Sequence, residues 1–317
     1  MRPVRWGILS TAHINRQVIP PAQASEKCDL IAVASRDAGR AEEYALEWGI
    51  ERSYGSYEAL LEDPDVEAVY ISLPNSMHCE WSIRSVEAGK HVLCEKPMSP
   101  RAAEVEEAFD AADRAGRLLM EAFMWRFNPQ ARKLTELVEG GAIGRLRVIR
   151  AAFGFTLHDS ENVRLRPEIE GGALLDVGCY CVSGSRLLGG EPIRAEGVEI
   201  VGPTGVDVLF SGAMLFEDGV MGHFDCGFLM PPRDELEVIG EEGSLFLDDP
   251  WHAHEPVIEV RRDGGVERVE TERANSYGLE LDNLSEAIRG EAEPLLGRAD
   301  AVGNARAIEL LYASARA

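Results

Sequence analysis

The sequence predicts an α/β protein in two parts: a doubly wound parallel sheet over residues 1–121, then an α+β domain over residues 122–317 built on a large open, mostly antiparallel sheet. Three observations carry this expectation. Short apolar runs alternate with helical patterns through the first 121 residues, the rhythm of parallel strands joined by crossover helices. From Ala122 the rhythm changes, and beyond Gly190 the chain reads as strands separated by glycine-bearing turns. At 317 residues the chain also exceeds the usual size of one domain.

In the first part, Val4–Leu9 reads as a strand that runs into Ser10-Thr11-Ala12-His13-Ile14-Asn15. A dinucleotide-binding Rossmann turn would carry glycines at positions 10, 12 and 15. Here those positions hold Ser10, Ala12 and Asn15, small or turn-tolerant residues that still let a pyrophosphate approach the backbone at a helix N-terminus. Leu30–Ala34 reads as a buried second strand ending in Ser35-Arg36-Asp37. A hydroxyl and a guanidinium at that exit suit a ribose 2′-phosphate, so NADP is expected over NAD. Asp37 either caps the helix that runs to Trp48 or itself reaches a ribose.

A third strand over Val66–Leu73 ends in Pro74-Asn75-Ser76-Met77-His78, ahead of a helix through Ala88. Asn75 and the Leu73 backbone are candidate contacts for ribose or nicotinamide, and His78 falls in the helix's first turn. The run His91-Val92-Leu93 is a short buried strand that exits into Cys94-Glu95-Lys96-Pro97. The proline biases Lys96 toward extended backbone, which aims its side chain out of the sheet. Only Lys27, Lys90, Lys96 and Lys133 are lysines among 32 basic residues, so a lysine at a strand exit stands out. Lysine exchanges protons where arginine does not. Ala102–Ala115 is helical and Leu118–Glu121 is a last strand. Four candidate ligand stretches, Ser10–Ala12, Ser35–Arg36, Leu73–Asn75 and Glu95–Lys96, fall at strand C-terminal ends, where open α/β sheets bind ligands.

The second part opens on Phe123-Met124-Trp125-Arg126-Phe127-Asn128-Pro129, an aromatic-rich bridge, followed by an amphipathic helix to about Gly140 and a strand over Leu146–Phe153. A loop poor in apolar residues follows and contains His158 and Asn162. After the double glycine at 171–172, Leu174 to about Leu188 reads as a helix with Asp176 and Tyr180 on one face. Strands are expected over Ala195–Ile200, Val206–Phe216, Val220–Phe228, Glu235–Gly240, Ser244–Leu247, Val257–Arg261 and Val266–Glu270, then helices over Ser276–Arg289 and Arg298–Ala315. His252-Ala253-His254 has metal-like spacing but no third ligand nearby in sequence, so a solvated loop and no metal are expected.

The totals exclude several classes. A net charge of −23 argues against nucleic acid, whose phosphates need basic patches. No apolar run approaches the roughly 18 residues of a membrane span. The N-terminus enters a strand at once, which argues against a signal peptide, and six cysteines without CxxC spacing suit free thiols in a cytoplasmic protein.

Taken together, Glu95-Lys96-Pro97 at a strand exit and Asp176-x-Gly178-x-Tyr180 at a helix start resemble the glucose-fructose oxidoreductase / inositol dehydrogenase (Gfo/Idh/MocA) superfamily. Ala34-Ser35-Arg36, Glu121 through Pro129 and Gly171 through Tyr180 are most similar to its branch of NADP-dependent D-xylose 1-dehydrogenases and dihydrodiol dehydrogenases. The resemblance implies an enzyme with Lys96 and Tyr180 as the catalytic pair and Asp176 lining the substrate site. It implies NADP held by Ser10, Thr11, Ala12, Ile14, Ser35, Arg36, Leu73, Asn75, His78, Glu95, Lys96, Trp125 and Arg126. It also implies a sugar or polyol substrate met by Lys96, Phe127, Asn128, His158, Asp176 and Tyr180. A cis bond before Pro97 and a homodimer or higher oligomer formed through the open sheet belong to the same expectation.

The chemistry expected of this set is hydride transfer from a sugar carbinol carbon. A phenol with pKa of about 10 is a poor base at neutral pH, and a neighbouring ammonium favours its phenolate. Tyr180 is therefore the expected base, Lys96 its tuning partner and Asp176 a clamp on adjacent hydroxyls. The other readings are a sensor of sugar or cofactor without turnover, and a glycosidase that retains its nicotinamide.

Overall fold

The computed structural model describes residues 2–317, which divide into two compact units. The first unit holds six strands, β1 (Val4–Leu9), β2 (Cys28–Ala34), β3 (Arg52–Tyr54), β4 (Ala68–Ile71), β5 (His91–Glu95) and β6 (Leu119–Ala122), in the order β3-β2-β1-β4-β5-β6. Every pair is parallel. The order reverses at β1 and β4, the switch point at which doubly wound sheets open a ligand crevice. Its helices are α1 (Asn15–Ala24), α2 (Ala38–Trp48), α3 (Tyr57–Leu61), α4 (His78–Glu87) and α5 (Ala102–Ala115). Strand β3 and helix α3, three and five residues long, lie in a stretch whose sequence shows no sustained period.

The second unit takes Pro100–Ala102, Trp125–Ala274 and Gly303–Ala317. It contains α6 (Pro129–Glu139), β7 (Leu146–Thr156), α7 (Cys179–Gly189), β8 (Arg194–Val201), β9 (Asp207–Leu215), β10 (Met221–Gly227), β11 (Leu229–Gly240), β12 (Ser244–Leu247), β13 (Val257–Arg262) and β14 (Gly265–Glu270). The strands form one eight-stranded sheet, β14-β13-β12-β11-β7-β10-β9-β8. All neighbours are antiparallel except β7 and β10, which run parallel because the chain crosses back through α7 between them. Alternation puts Phe210, Met214 and Phe224 on the buried face and leaves Val198, Ile200 and Met221 exposed on the other.

The last two helices are α8 (Ser276–Ile288) and α9 (Arg298–Ala315). The boundary expected at residue 121 places both in the second domain, but residues Asn275–Val302 belong to the first compact unit. Side-chain bonds tie α8 there. Trp6 Nε1 donates to Ser285 Oγ at 3.1 Å, and Arg289, just past the helix, pairs with Glu67 at 3.0 Å. From Gly303 onward the chain packs with the second unit.

Candidate active site

In the first unit, the β1 exit has the geometry that a glycine fingerprint would supply, made from other residues. Ser10 sits at φ 118°, a region glycine enters freely and other residues rarely do. Its hydroxyl and carbonyl hold it there: Oγ donates to the Ser72 carbonyl at 3.0 Å and accepts from Ala12 N at 3.1 Å, while Asn15 Nδ2 donates to its carbonyl at 3.0 Å. Ser72 Oγ in turn donates to Asn15 Oδ1 at 2.6 Å. This buried knot fixes the turn through Thr11, Ala12 and Ile14 into α1. Beside it a cleft of about 400 Å³ is lined by Thr11, Ala12, His13, Arg16, Arg40, Glu43, Tyr44 and Glu47.

At the β2 exit, Ser35 Oγ accepts from Asp37 N at 3.3 Å, and Asp37 caps α2 by accepting from Arg40 N at 2.8 Å. Of the two readings of Asp37, the structure realises the cap. Arg36 and Arg40 are exposed, and their charges partly offset the burial that raises the Tyr57 phenol. Arg40, one turn into α2, is a cation that the sequence reading passed over.

At the β4 and β5 exits, His78 is 1% exposed, with Nε2 at 2.7 Å from the Leu73 carbonyl and Nδ1 at 2.8 Å from the Pro97 carbonyl. Burial brings its pKa down to about 4 against the pull of those two carbonyls, with the charge of Lys96 adding to the fall. The neutral ring has one N–H and so donates to one of the two carbonyls, which places the buried His78 between the two exits rather than at an open ligand face. Asn75 opens a short 3₁₀ turn, Asn75–Met77.

Lys96 precedes a cis Pro97. Glu95 anchors this turn: Oε2 accepts from Lys96 N at 3.3 Å and Oε1 accepts from the Tyr70 hydroxyl at 2.5 Å. Behind it lies Glu280 of α8, fully buried, with no hydrogen-bond partner at either carboxylate oxygen. Burial, and next the charge of Glu95, push its pKa well above the glutamate range, so Glu280 is held as the neutral acid.

In the second unit, Tyr180 lies in the first turn of α7, 7% exposed. Its ring meets Phe153 edge-on at 5.3 Å and tilts against Trp251 at 5.9 Å. Trp251 packs edge-on against Trp125 at 5.2 Å. The indole Nε1 of Trp125 is buried without a partner, and Arg126 lies 5.7 Å above that ring. Phe127 is buried, and Asn128 is a buried helix cap whose Oδ1 accepts from Gln130 N at 2.9 Å.

Asp176 stands in a π-helical turn, Leu174–Gly178, that precedes α7 in place of the continuous α-helix expected. Such turns recur at functional sites because they displace a side chain from the α register. Arg164 Nε donates to Asp176 Oδ2 at 2.6 Å, and Asn162 caps the short turn bearing Arg164. His158 is exposed on the same loop. The start of the turn is pinned by buried Asp207, which accepts from Leu174 N and from the Tyr312 hydroxyl, each at 2.7 Å. Gly172, at φ 131°, passes so close to Asp207 Oδ1 that a Cβ there would collide with it. Tyr312→Phe leaves Asp207 with one donor fewer and is expected to lower stability by about 1–2 kcal/mol. Thermal melting checks this, and an unchanged Tm would mean the bond does not hold the turn.

Comparison with known proteins follows the same two parts. A model of the oxidoreductase family with an NAD-binding Rossmann fold matches residues 4–123, and a model of the GFO/IDH/MocA C-terminal domain matches residues 131–246. The chain belongs to the GFO/IDH/MocA oxidoreductase family. Within this family it is 38% identical to the NADP+-dependent D-xylose 1-dehydrogenase 2 of Haloferax volcanii, over 98% of this chain and 97% of that one. It is 37% identical to the mouse trans-1,2-dihydrobenzene-1,2-diol dehydrogenase, over 82% and 79%. Among solved structures it is similar to a 3-ketoreductase from Actinomadura kijaniata in complex with NADP and TDP-benzene, with a TM-score of 0.92, 28% identity and 98% of each chain covered. Further structures of that reductase carry a tyrosine changed to phenylalanine, or a lysine changed to alanine or glutamate.

The branch of the family read from Ser35-Arg36 and from the Gly171–Tyr180 stretch is the one these relatives occupy. Reasoning from sequence missed Arg164, Trp251 and Glu280. Arg164 sits in a loop without period, Trp251 in a loop between strands, and Glu280 among the acidic residues of an amphipathic helix. None carries a local signal. The expectation that His252 and His254 lack a third ligand is overturned, because Asp249 lies with them. No helix among the described residues is long and apolar enough to cross a membrane.

Proposed function

We propose that this family member oxidises an aldose of the D-xylose type at C1, transferring hydride to NADP+. The match to the Haloferax xylose dehydrogenase over nearly the whole of both chains, with Lys96 and Tyr180 present, is the observation that carries this reading. Lys96 and Tyr180 are separated by the same number of residues as the lysine and tyrosine substituted in the Actinomadura reductase.

The residues present fit NADP. Ser35, Arg36 and Arg40 put a hydroxyl and two guanidinium groups at the β2 exit, where Asp37 has one carboxylate oxygen engaged in its cap, and the two cations suit a 2′-phosphate. Bound NADP+ supplies the hydride acceptor. Tyr180 takes the proton from the sugar hydroxyl, its phenolate favoured by the Lys96 ammonium. Asp176, oriented by Arg164, accepts hydrogen bonds from neighbouring sugar hydroxyls, and His158 on the preceding loop completes the substrate side. Thr11, Ala12 and Ile14 present backbone to the pyrophosphate, and Leu73, Asn75 and Glu95 line the nicotinamide end. Trp125 and Arg126 are further cofactor contacts in this reading. The exposed Val198, Ile200 and Met221 face is the proposed dimer surface.

Absorbance of NADPH formed from NADP+, then from NAD+, across aldopentoses, aldohexoses, inositols and a dihydrodiol tests the substrate class. Failure of every aldose would overturn it and favour the sensor or the redox-neutral glycosidase. For the cofactor, Arg36→Ala and Arg40→Ala are each expected to raise KM for NADP+ by about 10–100-fold, the worth of a charge-assisted contact, and to leave KM for NAD+ within about threefold. Equal losses with both cofactors would remove the 2′-phosphate from this exit.

A further inference from the structure

We propose that Asp249, His252 and His254, in the loop between β12 and β13, form a binding site for a divalent transition ion of the zinc, nickel or copper class. Neither the sugar chemistry nor the nucleotide uses these residues. One carboxylate oxygen and one ring nitrogen from each histidine lie within 4.8 Å of one another. The two imidazoles stack with centroids 5.4 Å apart.

The loop holds them in place before any ion arrives. Asp249 accepts from His252 N at 3.2 Å and from His254 N at 2.7 Å, and Ala253 N donates to the Asp249 carbonyl at 3.0 Å. Ala253 is thereby kept at φ 52°, left-handed backbone that a non-glycine residue occupies only when its surroundings require it. The backbone on which the ligands stand is over-determined, and the side chains need only small rotations.

Ring chemistry supports the assignment. His252 Nδ1 lies 3.1 Å from Asp234 Oδ2 and 3.8 Å from Asp249 Oδ1. A carboxylate only accepts, so with Nδ1–H directed at Asp234 the other ring nitrogen, Nε2, is the one offered to a cation after a small ring rotation. A carboxylate on the far nitrogen is the usual outer partner of a metal-bound histidine. His254 Nδ1 lies 2.8 Å from Asp249 Oδ2, a contact in which an ion replaces a proton when it binds. Two imidazoles and one carboxylate favour zinc, nickel or copper over magnesium or calcium, which take oxygen ligands. A tetrahedral site has ligand atoms about 3.3 Å apart, so the cluster must contract by up to about 1.5 Å. His254, 79% exposed, is free to make that movement and leaves the site open to entry and to a water as fourth ligand.

The test is calorimetric titration of Zn2+ and Ni2+ into chelator-treated full-length protein, with tryptophan fluorescence followed in parallel because Trp251 adjoins His252. One saturable site per chain is expected, with dissociation on the order of micromolar. His254→Ala, at an exposed position with little bearing on folding, and Asp249→Asn should each weaken it at least tenfold, while His223→Ala, on the open sheet face, should not. Absence of a saturable site in the wild type, or undiminished binding by His254→Ala, overturns the proposal.

Discussion

Tyr180→Phe is expected to lower kcat by about 10²–10⁴-fold, the usual contribution of a positioned general acid or base. The ring contacts with Phe153 and Trp251 survive the change, so stability should fall by no more than about 1 kcal/mol, the worth of one hydroxyl hydrogen bond. Lys96→Met should lose activity on the same scale. If the two side chains serve one proton transfer, the double variant should be little worse than the poorer single variant, because residues that act together are not additive. Steady-state kinetics on the best aldose, with melting curves beside them, decides the matter. A Tyr180→Phe enzyme within tenfold of wild type would move the base elsewhere, and fully multiplicative losses would separate the two roles.

Glu280→Gln is expected to change stability in the opposite sense. Glu280 is buried as a neutral acid, so its pKa in the folded protein lies well above the ordinary value of 4.5 that it regains on unfolding. Between those two values the folded chain binds the extra proton, and unfolding releases it. Stability must then fall as pH rises from about 4.5 toward the raised value, by as much as about 1.4 kcal/mol per pH unit. Glutamine lacks this dependence. The variant's Tm should therefore gain on that of the wild type as pH rises above about 5, whatever fixed offset the buried amide adds. A Tm difference that stays constant, or that shrinks with rising pH, would show Glu280 to be ionised in the fold, with a partner such as a buried water or cation. A difference infrared spectrum in which the protonated-carboxyl band disappears in the variant gives an independent check.

The alternation of apolar strands and amphipathic helices through the first 121 residues was enough to read the parallel sheet, because β1, β4 and β6 are buried almost throughout and stand out as apolar runs, whereas the short, part-exposed β3 was not read. The strand exits were legible for the same reason: Ser10, Ser35, Leu73 and Lys96 each follow an apolar run. Long-range partners were not. Asp37 offered two chemistries in sequence, and only the position of the Arg40 amide chose between them. His78 looked available until two carbonyls from separate strand exits were found on its ring. Arg164 and Asp176 are brought together by a loop whose composition has no period, and Asp249 joins the histidine pair through a turn that spacing rules do not describe. Helix α8 was placed by its neighbours in sequence, whereas its buried face matches the first sheet.

That return of α8 bears on how the protein is made. On the ribosome the nucleotide-binding half emerges first but lacks the helix that bonds Trp6 and the Arg289 that follows it and pairs with Glu67, and the whole of Trp125–Ala274 must be synthesised before that helix appears. The half begun first is thus left incomplete until nearly the end of synthesis, and the nascent chain carries an uncovered apolar sheet face through most of translation. Gene fragments cut at the sequence boundary near residue 121 inherit the same exposed face permanently, whereas a circular permutation that joins Asn275–Val302 ahead of β1 would let this half close as soon as it is made.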